Sequence, residues 1–586
     1  GYIRGETAYN PEQNASGQVW KLGDVFRSTP ITVGTPSSYY DDTRDCNNRF
    51  STHRSNHPRT SANGNRLIVA GANDGQFHAF KTSDGSEAWS FVPSSLLTKL
   101  KNMTHSSHPT SLGHQYFVDG PVTVADVWTG ADDGNCSTAC SDHGNCKSAD
   151  SWRTLLVFGL GRGAVSYSWS DSSSCDSGVY ATYTTTATDG STLTHPYYCG
   201  FYAFNLNNSL SPSFLWVGPT FQNATNRSFQ APYLGDPWSK MMTGRVRVKE
   251  GGVEKEKWVG FIGAGYNAYD CSGGGSCDSR GKGFFVVDLT NGNIIWSFTL
   301  GSSTSATPSL FSIATNTNMK YSLPGQAAIV DTDNDGFIDT AYIGDLGGNM
   351  WRFKFCRDAD MPSCGISGFG LTTTWSGGLF YESSSGNIRP IYTSPAVAKD
   401  KDGNLWVYWG TGDKTDPTAS NAQERFFGVK DNRTSTYGFN NLDNITSASQ
   451  TYDPTSTTKV GYAINLAGGG EKMLADPTVF GGVVYFTTYK PSNTVCNEAG
   501  TASLYAINYR TGGGALSDGA RSMNIGTGIP SAPVLSLKPG GSGVPDLYVT
   551  TSGGSGTSAS TTRVDITPAG SANRTNMLYW RDLRIQ

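Results

Sequence analysis

The sequence predicts an all-β protein, a single seven-bladed β-propeller with long, disulfide-bearing loop insertions. Three observations predict it. The chain of 586 residues is rich in glycine (71 residues) and aromatics (12%) but holds only 16% charged residues, a composition suited to short strands and many turns. A short phrase recurs, in which a small or acidic residue and a proline introduce an apolar strand. Behind most copies of the phrase come further strands separated by Gly-rich turns. No long amphipathic helix competes with this reading; the nearest stretch, Ser94–Leu100, is one or two turns long.

The phrase occurs seven times: Ser28-Thr-Pro30, Asp119-Gly-Pro121, Gly235-Asp-Pro237, Leu323-Pro324, Thr393-Ser-Pro395, Ala475-Asp-Pro477 and Ser531-Ala-Pro533. Proline lacks a backbone N–H, so it is tolerated at the first residue of a strand, where no ladder bond is lost. The strands that follow include Arg66–Phe80, Thr154–Gly161, Trp258–Gly265, Leu405–Gly412, Val483–Thr488 and Asp546–Gly553. Asp84-Gly85 and Asn291-Gly292 mark hairpin turns, because both central positions tolerate positive φ. The strands after them end in Trp89 and Trp296, placed to wedge between neighbouring blades. Four short strands cannot cover both their apolar faces alone, whereas radial packing against two neighbours does so. The expected blades are 30–93, 121–218, 236–300, 324–381, 395–467, 477–528 and 533–580, with 1–29 helping to close the ring. Insertions at 34–65, 99–118, 129–151, 168–199 and 412–459 should emerge on the propeller faces.

The strongest chemical signal lies within the fourth blade. Asp331-Thr-Asp-Asn-Asp-Gly-Phe-Ile-Asp339 puts carboxylates at positions one, three, five and nine, with glycine at six. Alternating hard oxygen ligands around a sharp turn suit Ca²⁺, and the backbone oxygen of Phe337 at position seven completes the usual cage. The expected metal ligands are Asp331, Asp333, Asp335, Phe337 and Asp339. Position twelve, which an EF-hand fills with a bidentate Glu, is Tyr342, and the flanks Gln326–Val330 and Ala341–Ile343 read as strands. The loop is therefore expected to join two strands rather than two helices.

Cysteines number 11, mostly close together in polar loops, which points to disulfides and an oxidising compartment. Proximity suggests Cys175–Cys199, Cys271–Cys277, Cys356–Cys364 and Cys140–Cys146. A zinc site from Cys136, Cys140, Cys146 and His143 is the rival reading. The net charge of −4 with no basic stripe argues against nucleic acid. No apolar run approaches the roughly 18 residues that span a bilayer, so a soluble chain is expected. The start at Gly1 suggests a fragment or a processed product.

Catalytic constellations are poor. His53, His57, His105, His108, His114, His143 and His195 read as loop histidines, and His78 as a strand residue packed with a satisfied ring nitrogen. Gly159–Gly163 lacks the Lys-Ser/Thr that phosphate cradling needs. Asp400–Asn404 reads as a hairpin turn before a second cation site. Tyr39, Tyr40, Tyr197 and Tyr198 read as exposed loop aromatics.

Taken in order, these phrases resemble the C-terminal propeller of the PilC/PilY1 family of type IV pilus-associated proteins. The resemblance rests on Tyr2–Gly5, Trp20–Asp24 with Ser28–Pro30, Gly71–Gly75 with His78–Phe80, Phe117–Gly120, Trp152–Leu156, Gly263–Tyr266, Asp331–Asp339 with Gly344–Asn349 and Trp351–Phe353, Gly410–Gly412 and Tyr579–Leu583. It implies a secreted, non-enzymatic pilus biogenesis factor and adhesin at the pilus tip or outer surface, with pilins or minor pilins and a host or abiotic surface ligand as partners. It also implies that Ca²⁺ in the Asp331 loop tunes pilus extension against retraction. Two rival readings come from other classes. The Asp74–Phe80 and Gly85–Trp89 stretch also resembles a blade of quinoprotein dehydrogenases, but the adjacent cysteine pair on which their alcohol dehydrogenases stack the quinone is missing. A secreted carbohydrate- or matrix-binding propeller is the other.

Overall fold

The computed structural model of the chain describes residues 22–36, 45, 49–100, 114–130, 147, 151–164, 174–176, 179–180, 182–186, 192–196, 198–219, 233–250, 253–270, 278–301, 314–355, 366–367, 370–371, 375–384, 388–420, 422–492, 499–536, 546–553 and 558–565. Seven antiparallel sheets follow one another along the chain as the blades of a β-propeller. Blade 1 holds Ile31–Val33, Leu67–Gly71, Phe77–Lys81 and Glu87–Phe91. Blade 2 holds Val122–Trp128, Trp152–Gly159, Phe201–Asn205 and Ser213–Gly218. Blade 3 holds Met242–Glu250, Val253–Gly263, Gly283–Asp288 and Asn293–Leu300, with Ala314–Asn316 added in parallel. Blade 4 holds Ala328–Val330, Thr340–Gly344, Met350–Lys354 and Ser376–Tyr381.

Blade 5 holds Ala396–Lys399, Leu405–Gly410, Arg425–Asp431 and Gly461–Asn465, with Asp443–Asn444 on its edge. Blade 6 holds Thr478–Phe480, Val483–Lys490, Thr501–Asn508 and Ser522–Thr527. Blade 7 shows Val534–Ser536, Asp546–Thr551 and Ser560–Asp565 among the described residues. Residues 1–21 and 566–586, expected to supply parts of ring closure and of the last blade, lie outside the described residues.

The hydrophobic core runs between blades rather than inside any one of them. One buried cluster joins blades 1 and 2, and further clusters join each successive pair up to blades 6 and 7. Face-to-face aromatic pairs sit in these seams: Phe77 on Phe158 at 4.1 Å, Phe284 on Phe353 at 4.2 Å and Phe426 on Phe486 at 3.9 Å between centroids. Each such ring removes apolar surface from both blades at once, stabilising the pair by about 1.5–3 kcal/mol per side chain. The blade-end tryptophans do reach their neighbours. Trp89 Nε1 donates to Ser209 O of blade 2 at 2.7 Å, and Trp296 is fully buried against Phe353, Phe355 and Trp375.

Three local readings change. At Asp84-Gly85 and Asn291-Gly292 only the glycines take positive φ (73° and 75°), and the register slips beside them between Ala79 and Phe80 and between Val286 and Val287. These turns are bulged, not two-residue. Arg49–Asn56 is a helix, not loop; it buries Phe50 against Trp152 and His53 beside Phe50. His53 is therefore a core residue rather than a loop histidine. Tyr198 is not an exposed aromatic: it is buried and its hydroxyl donates to Gly235 O. Tyr39, Tyr40, Tyr197, His105, His108 and His143 lie outside the described residues. Cys199 is buried in a disulfide, and the side chains of the other ten cysteines, with the proposed pairings and the zinc alternative, lie outside the described residues.

Candidate metal centre

The Asp331–Asp339 loop leaves the innermost strand of blade 4 at Val330 and returns at Thr340, and Val330 pairs with Thr340 across its neck. Its turn is made by Asn334 and Gly336, at φ 63° and 86°; glycine takes such values freely, and asparagine tolerates them because its short side chain bonds locally. Asp331 organises the interior. Its Oδ1 accepts from Asp335 N at 3.2 Å and its Oδ2 from Gly336 N at 2.7 Å. Asp335 Oδ1 accepts from Phe337 N at 2.8 Å.

The consequence is convergence. Asp331, Asp333 and Asp335 each offer an oxygen, and the three atoms lie within 4.8 Å of one another. Two oxygens bound to one Ca²⁺ at 2.3–2.6 Å can stand at most roughly 5 Å apart, so this spread fits a single cation. Gathering like charges has a cost that the protonation equilibrium registers. Burial first, then the charges of Asp335 and Asp333, pushes the Asp331 carboxyl up to about 6, against the hydrogen bonds from Gly336 and Asn334.

Basic residues from two other blades hold the loop from outside. Arg245 and Arg247 lie on the first strand of blade 3. Arg245 Nε donates to Gly336 O at 2.6 Å, and its own carbonyl accepts from Ile338 N at 2.8 Å. Arg247 Nη2 pairs with Asp335 Oδ2 at 2.9 Å. Both guanidiniums lie over the buried ring of Phe337, at 4.6 and 4.2 Å from its centroid. From blade 5, Arg433 reaches Asp339 Oδ1 at 3.4 Å.

Asp339 does different work from the other three aspartates. It is 2% exposed, and its Oδ2 accepts from Thr332 N and Thr332 Oγ1 at 2.7 and 2.5 Å. Its Oδ1 accepts from Thr340 Oγ1 at 2.6 Å, besides facing Arg433. These bonds knot the neck of the loop, while Asp331, Asp333 and Asp335 form the cluster at its tip. Sequence spacing marked all four carboxylates but could not separate tip from neck. Thr332 and Thr340, which claim the Asp339 oxygens, were the signal available for doing so.

The two other turns that attracted attention are structural clamps. Asp400 accepts from Asp402 N, Asn404 N, Asn404 Nδ2 and Trp406 Nε1, all on its own hairpin. Asp345 repeats the arrangement in blade 4 with Gly347 N, Asn349 N, Asn349 Nδ2 and Trp351 Nε1. Fully engaged carboxylates of this kind fix a hairpin and leave little for a cation. His78 has both ring nitrogens engaged, by Asp74 at 2.9 Å and Glu87 at 2.6 Å.

Fold and loop together define a β-propeller that carries an oxygen-lined cluster able to hold a metal ion. A family model described as the PilY1 beta-propeller domain matches residues 247–453, a span that contains the whole acidic loop and the blade 3 arginine Arg247. The chain is 24% identical over 569 residues to a type IV pilus biogenesis factor PilY1 homolog of Xylella fastidiosa (strain Temecula1 / ATCC 700964), covering 91% of this chain and 37% of that protein. It is 22% identical over 572 residues to the type IV pilus biogenesis factor PilY1 of Pseudomonas aeruginosa (strain PAK), covering 87% and 40%. The crystal structure of the Pseudomonas aeruginosa PilY1 C-terminal domain superposes with a TM-score of 0.56 at 18% identity, covering 92% of this chain and 100% of that one. The chain folds as a β-propeller, and residues 247–453 of it match the PilY1 beta-propeller domain. It spans about a third to two fifths of the length of the curated relatives it matches.

Proposed function

We propose that this chain is the propeller of a calcium-binding protein of the type IV pilus. In this reading it acts in pilus biogenesis, in the balance of extension and retraction, and in surface adhesion at the pilus tip. Its partners are pilins or minor pilins together with a host or abiotic surface ligand, and its place is extracellular, at the pilus and the outer membrane. It works by contact rather than catalysis. The observation that carries the reading is the Asp331–Asp333–Asp335 cluster, seated in a loop held by blades 3, 4 and 5 at once.

Asp331, Asp333 and Asp335 would hold Ca²⁺ through carboxylate oxygens, with the Phe337 carbonyl as the backbone ligand. When bound, the ion supplies the positive charge that offsets three converging carboxylates. Without that offset the tip aspartates repel, and the loop relies on Arg245, Arg247 and the Asp339 knot. Arg245 and Arg247 pass the state of the loop to blade 3, and Arg433 passes it to blade 5. Asp431, two residues from Arg433, binds Arg352 Nη1 and the Tyr342 hydroxyl of blade 4 and continues the connection. A surface made by three blades thus has two geometries available to a partner, and Ca²⁺ selects between them.

The test is calorimetric titration of Ca²⁺ into EDTA-stripped protein, beside Asp331→Ala and Asp333→Ala. One-site binding in the parent and its loss in both variants supports the metal site. The same variants, placed in the full-length protein, should alter surface piliation or twitching. Binding that survives in the variants, or pili indifferent to them, would overturn the reading at the site or at the pilus respectively.

A further inference from the structure

A second site lies at the other end of the blade 4 inner strand from the acidic loop. The segments that lead into the inner strands of blades 1 to 5 meet around a cavity of about 270 Å³. Arg27, Asp119, Pro121, Trp238, Tyr392 and Lys414 supply its chemistry, and the Pro121 and Pro324 strand-starting phrases contribute part of the wall. The cavity is smaller than the 300–1,000 Å³ usual for drug-sized ligands, so it suits a molecule of roughly monosaccharide size.

Its polar groups are arranged but unsatisfied. Trp238 is sandwiched, with the Arg27 guanidinium 3.8 Å from its centroid and the Tyr266 ring stacked at 4.0 Å and 8°. Both faces being covered, the indole has only its edge left, and Nε1 on that edge has no hydrogen-bond partner among the described residues. Arg27 Nη1 is likewise buried without a partner. Asp119 is 1% exposed; its Oδ1 accepts from Arg27 N at 3.1 Å, while Oδ2 has no partner among the described residues. Buried polar atoms left this way cost about 1–3 kcal/mol each, and native proteins seldom leave several together unless something fills them.

The charges point the same way. Arg162 lies 5.4 Å from the Trp238 centroid, adding a cation to Arg27 and to the solvent-facing Lys414. Burial lowers the pKa of Arg27, and the charge of Arg162 lowers it further. Cations that crowd one another around a cavity bind an anion with little reorganisation.

We propose that this axial cavity binds a small hydroxylated carboxylate, of the class of acidic monosaccharides. Its carboxylate takes hydrogen bonds from Arg27 Nη1, Trp238 Nε1 and the Lys414 ammonium. A ligand hydroxyl donates to Asp119 Oδ2, and Pro121, Pro324 and Tyr392 cover its C–H faces. This site owes nothing to the Asp331 cluster and needs no Ca²⁺.

The probe is D-glucuronate, with D-glucose as its neutral counterpart, followed by calorimetry or ligand-observed NMR in EDTA on the whole chain. Glucuronate should bind and glucose should not at the same millimolar concentration. Lys414→Ala, at an exposed position, and Trp238→Phe, which keeps the stack but removes the Nε1 donor, should each weaken glucuronate about tenfold. Asp331→Ala should leave it unchanged. No glucuronate binding at millimolar concentration, an equal response to glucose, or binding indifferent to both cavity variants would overturn the assignment.

Discussion

Replacing Asp333 with alanine separates the metal from the fold. Asp333 stands exposed at the tip of the loop, and the one backbone N–H it receives, from Asp335 at 3.3 Å, keeps a second acceptor in Asp331 Oδ1 at 3.2 Å. In EDTA the substitution therefore removes almost no favourable contact. It also deletes one of three charges whose oxygens lie within 4.8 Å of one another. At that spacing two unit charges repel by about 1 kcal/mol in a water-like dielectric, so the metal-free variant should equal or slightly exceed the parent in stability. With Ca²⁺ the balance reverses. At a concentration of one hundred times its Kd, a ligand stabilises the native state by about 2.7 kcal/mol. A hundredfold loss of affinity on removing one of three side-chain ligands would leave only about 0.4 kcal/mol of that. The assay is calorimetric unfolding of both proteins in EDTA and in Ca²⁺. A Ca²⁺-dependent rise in Tm in the parent, largely absent from the variant, with the variant's Tm in EDTA equal to or slightly above the parent's, is the expected result. If the variant lost equal stability in EDTA and in Ca²⁺, Asp333 would be a structural turn residue and the metal argument would fail.

Asp339→Ala should do the opposite: its buried oxygens serve Thr332, Thr340 and Arg433, so unfolding should ease by about 2–4 kcal/mol whether or not Ca²⁺ is present, as read from urea midpoints. Asp345→Ala should cost a similar amount, about 2–4 kcal/mol, because it strands the N–H groups of Gly347, Asn349 and Trp351 in the core; retention of the parental midpoint would show that the clamp is idle. His78 has its pKa raised: burial opposes the charged ring, but hydrogen bonds and charge from Asp74 and Glu87 more than offset it. A raised folded-state pKa gives stability that is fully present below about 6.5 and is lost as pH rises through the folded value. The stability gap between the parent and His78→Gln should therefore hold below about pH 6.5 and shrink above it, and a gap constant with pH would contradict the ion-pair geometry.

The propeller was legible because its grammar is local. A proline that opens a strand, an alternating apolar run and a glycine at a positive-φ turn are each visible within ten residues, and they recur. The acidic loop was legible for the same reason, since Asp331, Asp333 and Asp335 are fixed by spacing and by the turn at Gly336. What escaped depends on contacts distant in sequence. Nothing near Asp335 announces Arg247, 88 positions away, nor does anything near Asp339 announce Arg433, 94 positions away. Arg49–Asn56 has weak apolar periodicity and no acidic first turn, so its helix owes its place to Phe50 and His53 docking on blade 2. The axial cavity was hidden in plain view: its walls are the strand-starting phrases, but only ring closure brings Asp119, Trp238 and Pro324 face to face.

Arg247 gives the sharpest view of how the loop is poised. Its guanidinium is 5% exposed, sits over Phe337 and holds Asp335 Oδ2 at 2.9 Å. It is thus a resident cation that partly neutralises the cluster and competes with any ion that enters. A divalent cation beside Asp335 would stand roughly 6 Å from that charge, and even a water-like dielectric makes the repulsion about 1.4 kcal/mol, or tenfold in affinity. Arg247→Gln should therefore bind Ca²⁺ about tenfold more tightly while unfolding more readily in EDTA, because the metal-free loop loses its substitute charge. Calorimetric titration and unfolding on the same sample measure both. Weaker Ca²⁺ binding in this variant would mean that Arg247 positions Asp335 for the metal rather than standing in for it. If the proposed Ca²⁺ site holds, a loop tuned this way would pair each state with its own cation, arginine when Ca²⁺ is scarce and Ca²⁺ when it is abundant. The tip carboxylates then need never face one another unopposed, and the difference between the two states falls on the seam between blades 3 and 4.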